Sequence, residues 1–129
     1  MMKGNLIIGA GGHAKVIADI MIRLGMDILG FLDDDPSLVG QEIFNLPVLG
    51  KSNTWHVYQP DGLVIGIGDN VTRRKVVQNL EASHTPPWIT VIHPKAVLAE
   101  SVQIGVGTII MAGAIINVDA KIGKHSIIN

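Results

Sequence analysis

The chain has no cysteine among its 129 residues, so it holds no disulfide framework, no thiolate metal site and no thiol nucleophile. Charge is scarce as well: Asp, Glu, Lys and Arg make up 16% of the residues, against about 25% in an average soluble domain. The net charge is −1 and no basic stripe runs through the sequence, which argues against nucleic acid or a membrane surface as partner. Long hydrophobic runs are missing too. Mean hydropathy is high at +0.38, yet no apolar stretch approaches the roughly 18 residues that span a bilayer. After Lys3 the apolar run is broken by Gly11, Gly12, His13 and Lys15, so no signal-peptide core forms. These absences predict a cytoplasmic soluble protein of dense, regularly spaced hydrophobicity.

The first part alternates strand-like and helical patterns. Leu6–Ile8 reads as a buried strand, and Val16, Ile17, Ile20, Met21 and Leu24 then recur at helical spacing, with Gly25 as a stop. Ile28–Leu32 forms a second strand that ends in Asp33-Asp34-Asp35-Pro36. A loop-rich stretch punctuated by Gly40, Pro47 and Gly50 follows. Leu63–Ile67 reads as a third strand ending at Gly68, and Val71–Leu80 as a helix capped by Asp69 or Asn70. After Thr85-Pro86-Pro87, Trp88–Ile92 reads as a fourth strand. This alternation predicts a small, parallel, Rossmann-like α/β domain over residues 1–90.

The rule changes near Ile92. Read in sixes, the chain becomes IHPKAV, LAESVQ, IGVGTI, IMAGAI, INVDAK, IGKHSI and IN. Each hexad opens with Ile or Leu, at positions 92, 98, 104, 110, 116, 122 and 128. Its fifth residue is small or β-branched: Ala96, Val102, Thr108, Ala114, Ala120, Ser126. The pattern predicts the first coils of a left-handed parallel β-helix over residues 91–129, with three hexads per coil. Glycine at second positions, Gly105 and Gly123, suits a sharp corner. Two coils that stop mid-hexad lack a polar cap, so the sequence reads as the N-terminal portion of a longer protein.

Three glycines in four positions, Gly9, Gly11 and Gly12, precede His13 between a strand and a helix. Such a turn lets a phosphate approach backbone N–H groups at a helix N-terminus, and an acid at the end of the next strand bonds a ribose hydroxyl. The same residues also serve as a tight turn with no ligand, the acids merely capping the chain before Pro36. With fewer than 90 residues ahead of the hexads, one nucleotide fits better than a dinucleotide. His13 either caps its helix or meets a ligand; Lys15 faces a phosphate or solvent. Arg73-Arg74-Lys75 reads as a solvated helix face, His56 and His84 as exposed loop residues.

The segments GAGGHAKV at 9–16, GFLDDD at 30–35, Pro47-Val48-Leu49-Gly50, IGIGDN at 65–70, VIHPKA at 91–96 and the hexapeptides resemble the NeuD-type sugar O-/N-acyltransferases. That family includes sialic acid O-acetyltransferases and enzymes acetylating UDP-linked amino sugars. The resemblance implies acetyl transfer from acetyl-CoA to a UDP- or CMP-linked sugar or sialic acid. It also implies a homotrimer binding acetyl-CoA between the β-helices of neighbouring subunits. By position, Gly11, Gly12, His13, Asp33, Asp34 and Gly68 would contact the acceptor. The family's general-base His would follow Ser126-Ile127-Ile128-Asn129, so no residue of this chain is expected to be catalytic, and the 129-residue chain alone is expected to be inactive. His125, at a corner with no acid implied by register, does not replace it.

Two further readings stand beside this one. A chain ending at Asn129 would be a non-catalytic nucleotide-sugar-binding and trimerising module. An NAD-dependent oxidoreductase would require NAD binding that Asp34→Ala weakens. A zinc hydratase on a β-helix needs stacked His ligands, but His93 and His125 are 32 positions apart, not a multiple of the 18-residue coil; no metal is expected.

Overall fold

The computed structural model describes residues 4–129. Strand β1 (Asn5–Ile8) is an interior strand of the first sheet, paired in parallel with β2 (Ile28–Leu32) on one side and β5 (Gly62–Ile65) on the other. Beyond β2 comes β4 (Leu46–Gly50), also parallel, and β3 (Glu42–Ile43) pairs antiparallel with β4 at the edge. The order is therefore β3-β4-β2-β1-β5. The stretch read as loop thus contains a hairpin strand pair, followed by a 3-10 helix over Ser52–Tyr58. Its short apolar runs, each interrupted by Pro47 or a polar residue, carry no period long enough to register.

Period-two alternation along the strands divides the core into two layers. Ile7, Phe31, Val48 and Val64 pack with Ala14, Ile17 and Met21 of helix α1 (Gly12–Arg23). Leu6, Ile8, Leu32, Leu63 and Ile65 face the other way, onto Trp55 and onto Val77 and Leu80 of helix α2 (Asn70–Glu81). Helix α1 ends as the sequence indicates: Gly25 takes φ +73°, and its N–H bonds the carbonyl of Ile22 while that of Met26 bonds Met21, the Schellman pattern that glycine favours. Asp69 caps α2, its carboxylate accepting from the N–H of Thr72 at 2.8 Å.

The stretch read as a fourth strand is only partly one. Trp88 makes a single bridge to Leu63, whereas β6 (Val91–Ile92) leaves the sheet and pairs with β9 (Ile109–Ile110). The remaining two-residue strands are β7 (Val97–Leu98), β8 (Gln103–Ile104), β10 (Ile115–Ile116), β11 (Lys121–Ile122) and β12 (Ile127–Ile128). They form three parallel ladders, β6-β9-β12, β7-β10 and β8-β11. Each residue pairs with the one 18 positions on: Val91 with Ile109, Val97 with Ile115, Gln103 with Lys121, Ile109 with Ile127. The hexad-opening residues converge on one core, where Ile92, Leu98, Ile104, Ile122 and Ile128 surround Ile110 and Ile116, with Ala96, Val102, Ala114 and Ala120 between them.

The corners are not where the second-position glycines suggest. Positive φ falls on the fourth residue of successive hexads, at Gly107, Gly113, Asp119 and His125. Gly105 is needed for a different reason: a Cβ there would lie 2.5 Å from the backbone nitrogen of Lys124, 19 positions on. One ladder packs onto the sheet unit, for Val91 and Ile109 belong to the same buried cluster as Ile7, Ile17 and Met21. No helix among the described residues is long and apolar enough to cross a membrane.

Candidate functional site

The turn after β1 contains glycines of two kinds. Gly9 has φ +103°, and a Cβ on it would sit 2.9 Å from the carbonyl oxygen of Gly66, so chain geometry alone demands glycine. Gly11 and Gly12 are exposed, neither has positive φ, and a Cβ on either would have no neighbour within 4 Å. Nothing inside the protein requires them to be bare. The N-terminus of α1 is open as well: Gly11 offers no side-chain cap and the first turn holds no acid. Unpaired N–H groups at an uncapped helix start, with space in front of them, suit a phosphate.

Asp33 and Asp34 stand at the end of β2, beside this turn, but they are employed differently. Asp33 accepts from the backbone N–H of Ala10 at 2.8 Å through Oδ2 and from that of Asp35 at 2.9 Å through Oδ1. It therefore both ties down the glycine turn and caps its own loop. Asp34 accepts through Oδ1 from the N–H (2.9 Å) and the hydroxyl (2.8 Å) of Ser52, the first residue of the 3-10 helix. A cavity of about 200 Å³ opens here, lined by Gly9, Asp33, Asp34, Ser52, Ile67 and Thr72 among others. It lies against the carboxyl ends of β1 and β2, the edge of an open α/β sheet where ligands bind.

His13 is half-buried in the first turn of α1 and lies against Gly68, where an added Cβ would come within 3.7 Å of its own Cβ. Its Nε2 is buried without a hydrogen-bond partner. Burial, with a smaller contribution from the Arg73 guanidinium, holds its pKa below the ordinary 6.5, so the ring is neutral at pH 7 and offers one donor and one acceptor. The structure thus gathers Gly11, Gly12, Asp33 and Asp34 around one turn and sets His13 and Gly68 together on its flank. Lys15 is exposed, its ammonium 5.5 Å from the centre of the Phe44 ring.

Arg73 overturns the reading of Arg73-Arg74-Lys75 as a solvated face. Its side chain is buried; Nη1 donates to the carbonyls of Ile67 and Gly68, Nη2 to Asn70 Oδ1 and Nε to the carbonyl of His125. A signal for this existed, since Arg73 precedes the buried Val77 and Leu80 by four and seven residues and so shares their stripe. Arg74 does stay exposed, on the wall of a second groove of about 630 Å³ between α2 and the corner Lys124-His125-Ser126. His125 itself is a corner residue with both ring nitrogens buried and unpartnered, its ring edge-on to Trp88 at 4.5 Å. His56 is half-buried rather than exposed, stacked on the exposed His84 at 3.9 Å. Among the described residues no three His, Asp or Glu side chains gather to hold a metal.

Residues 6–80 match the PglD N-terminal domain family. The UDP-N-acetylbacillosamine N-acetyltransferase of Bacillus subtilis is 37% identical over 114 residues, covering 86% of this chain and 52% of that protein. An uncharacterized protein of Acanthamoeba polyphaga mimivirus is 32% identical over 122 residues, covering 95% of this chain and 24% of its own. Among solved structures, a mutant perosamine N-acetyltransferase from Caulobacter crescentus in complex with CoA and GDP-perosamine superposes with a TM-score of 0.88 at 35% identity, over 98% of this chain and 60% of that one. The acetyltransferase domain of PglB from Neisseria gonorrhoeae, in complex with acetyl coenzyme A, gives 0.80 at 30% identity, over 98% and 61%. The chain therefore spans about half to three-fifths of the acetyltransferases it matches. A family match over residues 6–80, more than half of the sequence, places the chain in the PglD N-terminal domain family, of the NeuD/PglD-type sugar acetyltransferases.

Proposed function

We propose that this chain supplies the acceptor-binding part of an acetyl-CoA-dependent N-acetyltransferase whose acceptor is a nucleotide-linked amino sugar. The observation that carries the reading is the bare turn Gly11-Gly12, unexplained by packing or backbone strain, beside a cavity walled by two carboxylates. In this assignment the pyrophosphate lies over the N-terminus of α1 and the ribose faces Asp33 and Asp34. The neutral His13 and the backbone at Gly68 border the path toward the sugar. Relatives that act on or bind UDP- and GDP-linked amino sugars support an amine acceptor over free sialic acid.

Acetyl-CoA supplies the acetyl thioester, and none of the residues assigned to the acceptor is assigned to it. Attack by the sugar amine needs a general base. Among the described residues no imidazole hydrogen-bonds a carboxylate, and His125 has no exposed ring nitrogen. We therefore assign the base to the portion of the relatives that this chain does not span.

The three ladders are assigned as the opening coils of a left-handed β-helix, following a nucleotide-sugar unit over residues 1–90. Pairing at an 18-residue interval and the aliphatic hexad core support that assignment. A homotrimer is assigned through the β7-β10 face, where Val97 and Ile115 point outward, 61% and 73% exposed, while the β8-β11 face presents Gln103 and Lys121. Outward apolar ladders of this kind are buried in oligomers.

Titration calorimetry with UDP- and GDP-linked 4-amino sugars, CMP-sialic acid and NAD tests the acceptor assignment. Binding of a nucleotide-linked amino sugar, weakened by Asp34→Asn, is expected. Binding of NAD alone, or of none of these ligands, overturns it.

A further inference from the structure

The two adjacent carboxylates at the end of β2 differ in what they have left to give. Asp33 uses both oxygens on backbone amides, and one of them belongs to Ala10 inside the glycine turn. Asp34 has no backbone partner within its own loop; its only hydrogen-bond donor among the described residues is Ser52, 18 positions later. The serine hydroxyl lies 2.8 Å from Oδ1 and 3.1 Å from Oδ2. Its single proton goes to the nearer oxygen, where the Ser52 N–H also donates. Oδ1 is then saturated, and Oδ2 keeps its lone pairs.

Ser52 is one of three buried polar or charged residues among those described, 8% exposed, whereas Asp34 is exposed at the cavity. An exposed aspartate ordinarily samples several rotamers. Here a buried partner on a separate element grips one oxygen and so fixes the carboxylate plane at the wall of the cavity. We infer that Ser52 is a positioning residue for acceptor recognition: it presets Asp34 Oδ2 to accept a hydrogen bond from a ribose hydroxyl, while Asp33 acts as the latch of the phosphate turn. Selection of ribonucleotide over 2′-deoxyribonucleotide acceptors then resides in the Ser52–Asp34 pair. This rests on the nucleotide-sugar reading above.

The test uses calorimetry on the full chain with UDP, GDP and their 2′-deoxy counterparts. The wild type is expected to favour the ribonucleotide by about tenfold or more, the worth of one hydrogen bond to a charged group. Ser52→Ala is expected to remove most of that preference while leaving 2′-deoxynucleotide affinity unchanged, which also shows that the variant is folded. Ser52→Thr, which retains the hydroxyl, restores the preference. Asp34→Asn loses it, and adding Ser52→Ala to Asp34→Asn causes no further loss. Asp33→Asn, by loosening the turn, weakens ribo- and deoxynucleotides alike. A preference that survives Ser52→Ala, or equal weakening of both sugars by that change, overturns the inference and leaves nucleotide binding intact. Failure of the wild type to bind any nucleotide overturns the underlying reading instead.

Discussion

Arg73 donates from Nε to the carbonyl oxygen of His125 at 2.9 Å, joining α2 to a corner of the stacked ladders across 52 residues of chain. The same guanidinium holds the carbonyls of Ile67 and Gly68, so one buried side chain fixes the strand-end loop beside His13 relative to the ladders. Truncation leaves three carbonyls to find new partners. At about 1 kcal/mol for each hydrogen bond, Arg73→Ala is expected to cost about 2–4 kcal/mol in urea unfolding. Arg73→Lys recovers only part, because an ammonium cannot spread along the fork that a guanidinium spans.

Acid is expected to destabilise the fold through two imidazoles. His13 and His125 both have their pKa lowered from 6.5: His13 by burial and then by Arg73, His125 by burial, opposed by Glu81 and reinforced by Arg73 and Lys124. For a lowered histidine the unfolded chain binds the proton more readily. The contribution to stability is thus complete above about pH 6.5 and is lost as pH falls from there through the folded value. Urea midpoints at pH 7.5 and 5.5 are expected to show the drop. His125→Asn, which tolerates the positive φ of 53° at that corner, is expected to flatten it; an unchanged slope would show that His125 does not titrate in this window.

Substitutions at the glycines of the first turn are expected to separate folding from binding. Gly11→Ala and Gly12→Ala meet no atom within 4 Å and need no positive φ, so stability is expected to hold or rise by about 0.5 kcal/mol at Gly12 and to fall by no more than about 1 kcal/mol at Gly11, the N-cap of α1. Affinity for a nucleotide-linked sugar is expected to fall in both. Gly66→Ala is the reverse case. Its Cβ would lie 2.8 Å from Ala14 Cβ and from Ile7 Cγ2, forcing α1 away from the sheet, and the loss of stability is expected to be about 1–3 kcal/mol. Thermal melts and calorimetry on the three variants distinguish these roles.

The legibility of the sequence followed the range of each interaction. Hexad spacing exposed the ladder core because one 18-residue repeat sets both the register and the inward face, and Asp69 and Gly25 announce helix ends by local chemistry. The Ser52–Asp34 pair left no trace, since two residues in separate loops share no period and either is unremarkable alone. Arg73 was half visible: its stripe with Val77 and Leu80 showed burial, but the neighbouring Arg74 and Lys75 masked it as a charged face. Asp119 and His125 concealed a backbone conformation that Gly107 and Gly113 advertise.

Those corners give a graded test of the ladder packing. Gly107 and Gly113 occupy the same hexad position with φ of +81° and +78°, yet their surroundings differ. At Gly113 a Cβ would meet nothing within 4 Å, so Gly113→Ala is charged only for the left-handed backbone, about 1–2 kcal/mol. At Gly107 a Cβ would collide with the His125 imidazole, whose ring lies edge-on to Trp88 at 4.5 Å, so the ring must shift or strain. Gly107→Ala is therefore expected to cost at least 1 kcal/mol more than Gly113→Ala in chemical denaturation. The excess is expected to shrink when His125→Asn removes the ring, a coupling that a double-mutant cycle reads directly. Equal costs at the two glycines would mean that the imidazole gives way, and that corner 125 is held by Arg73 through its carbonyl alone.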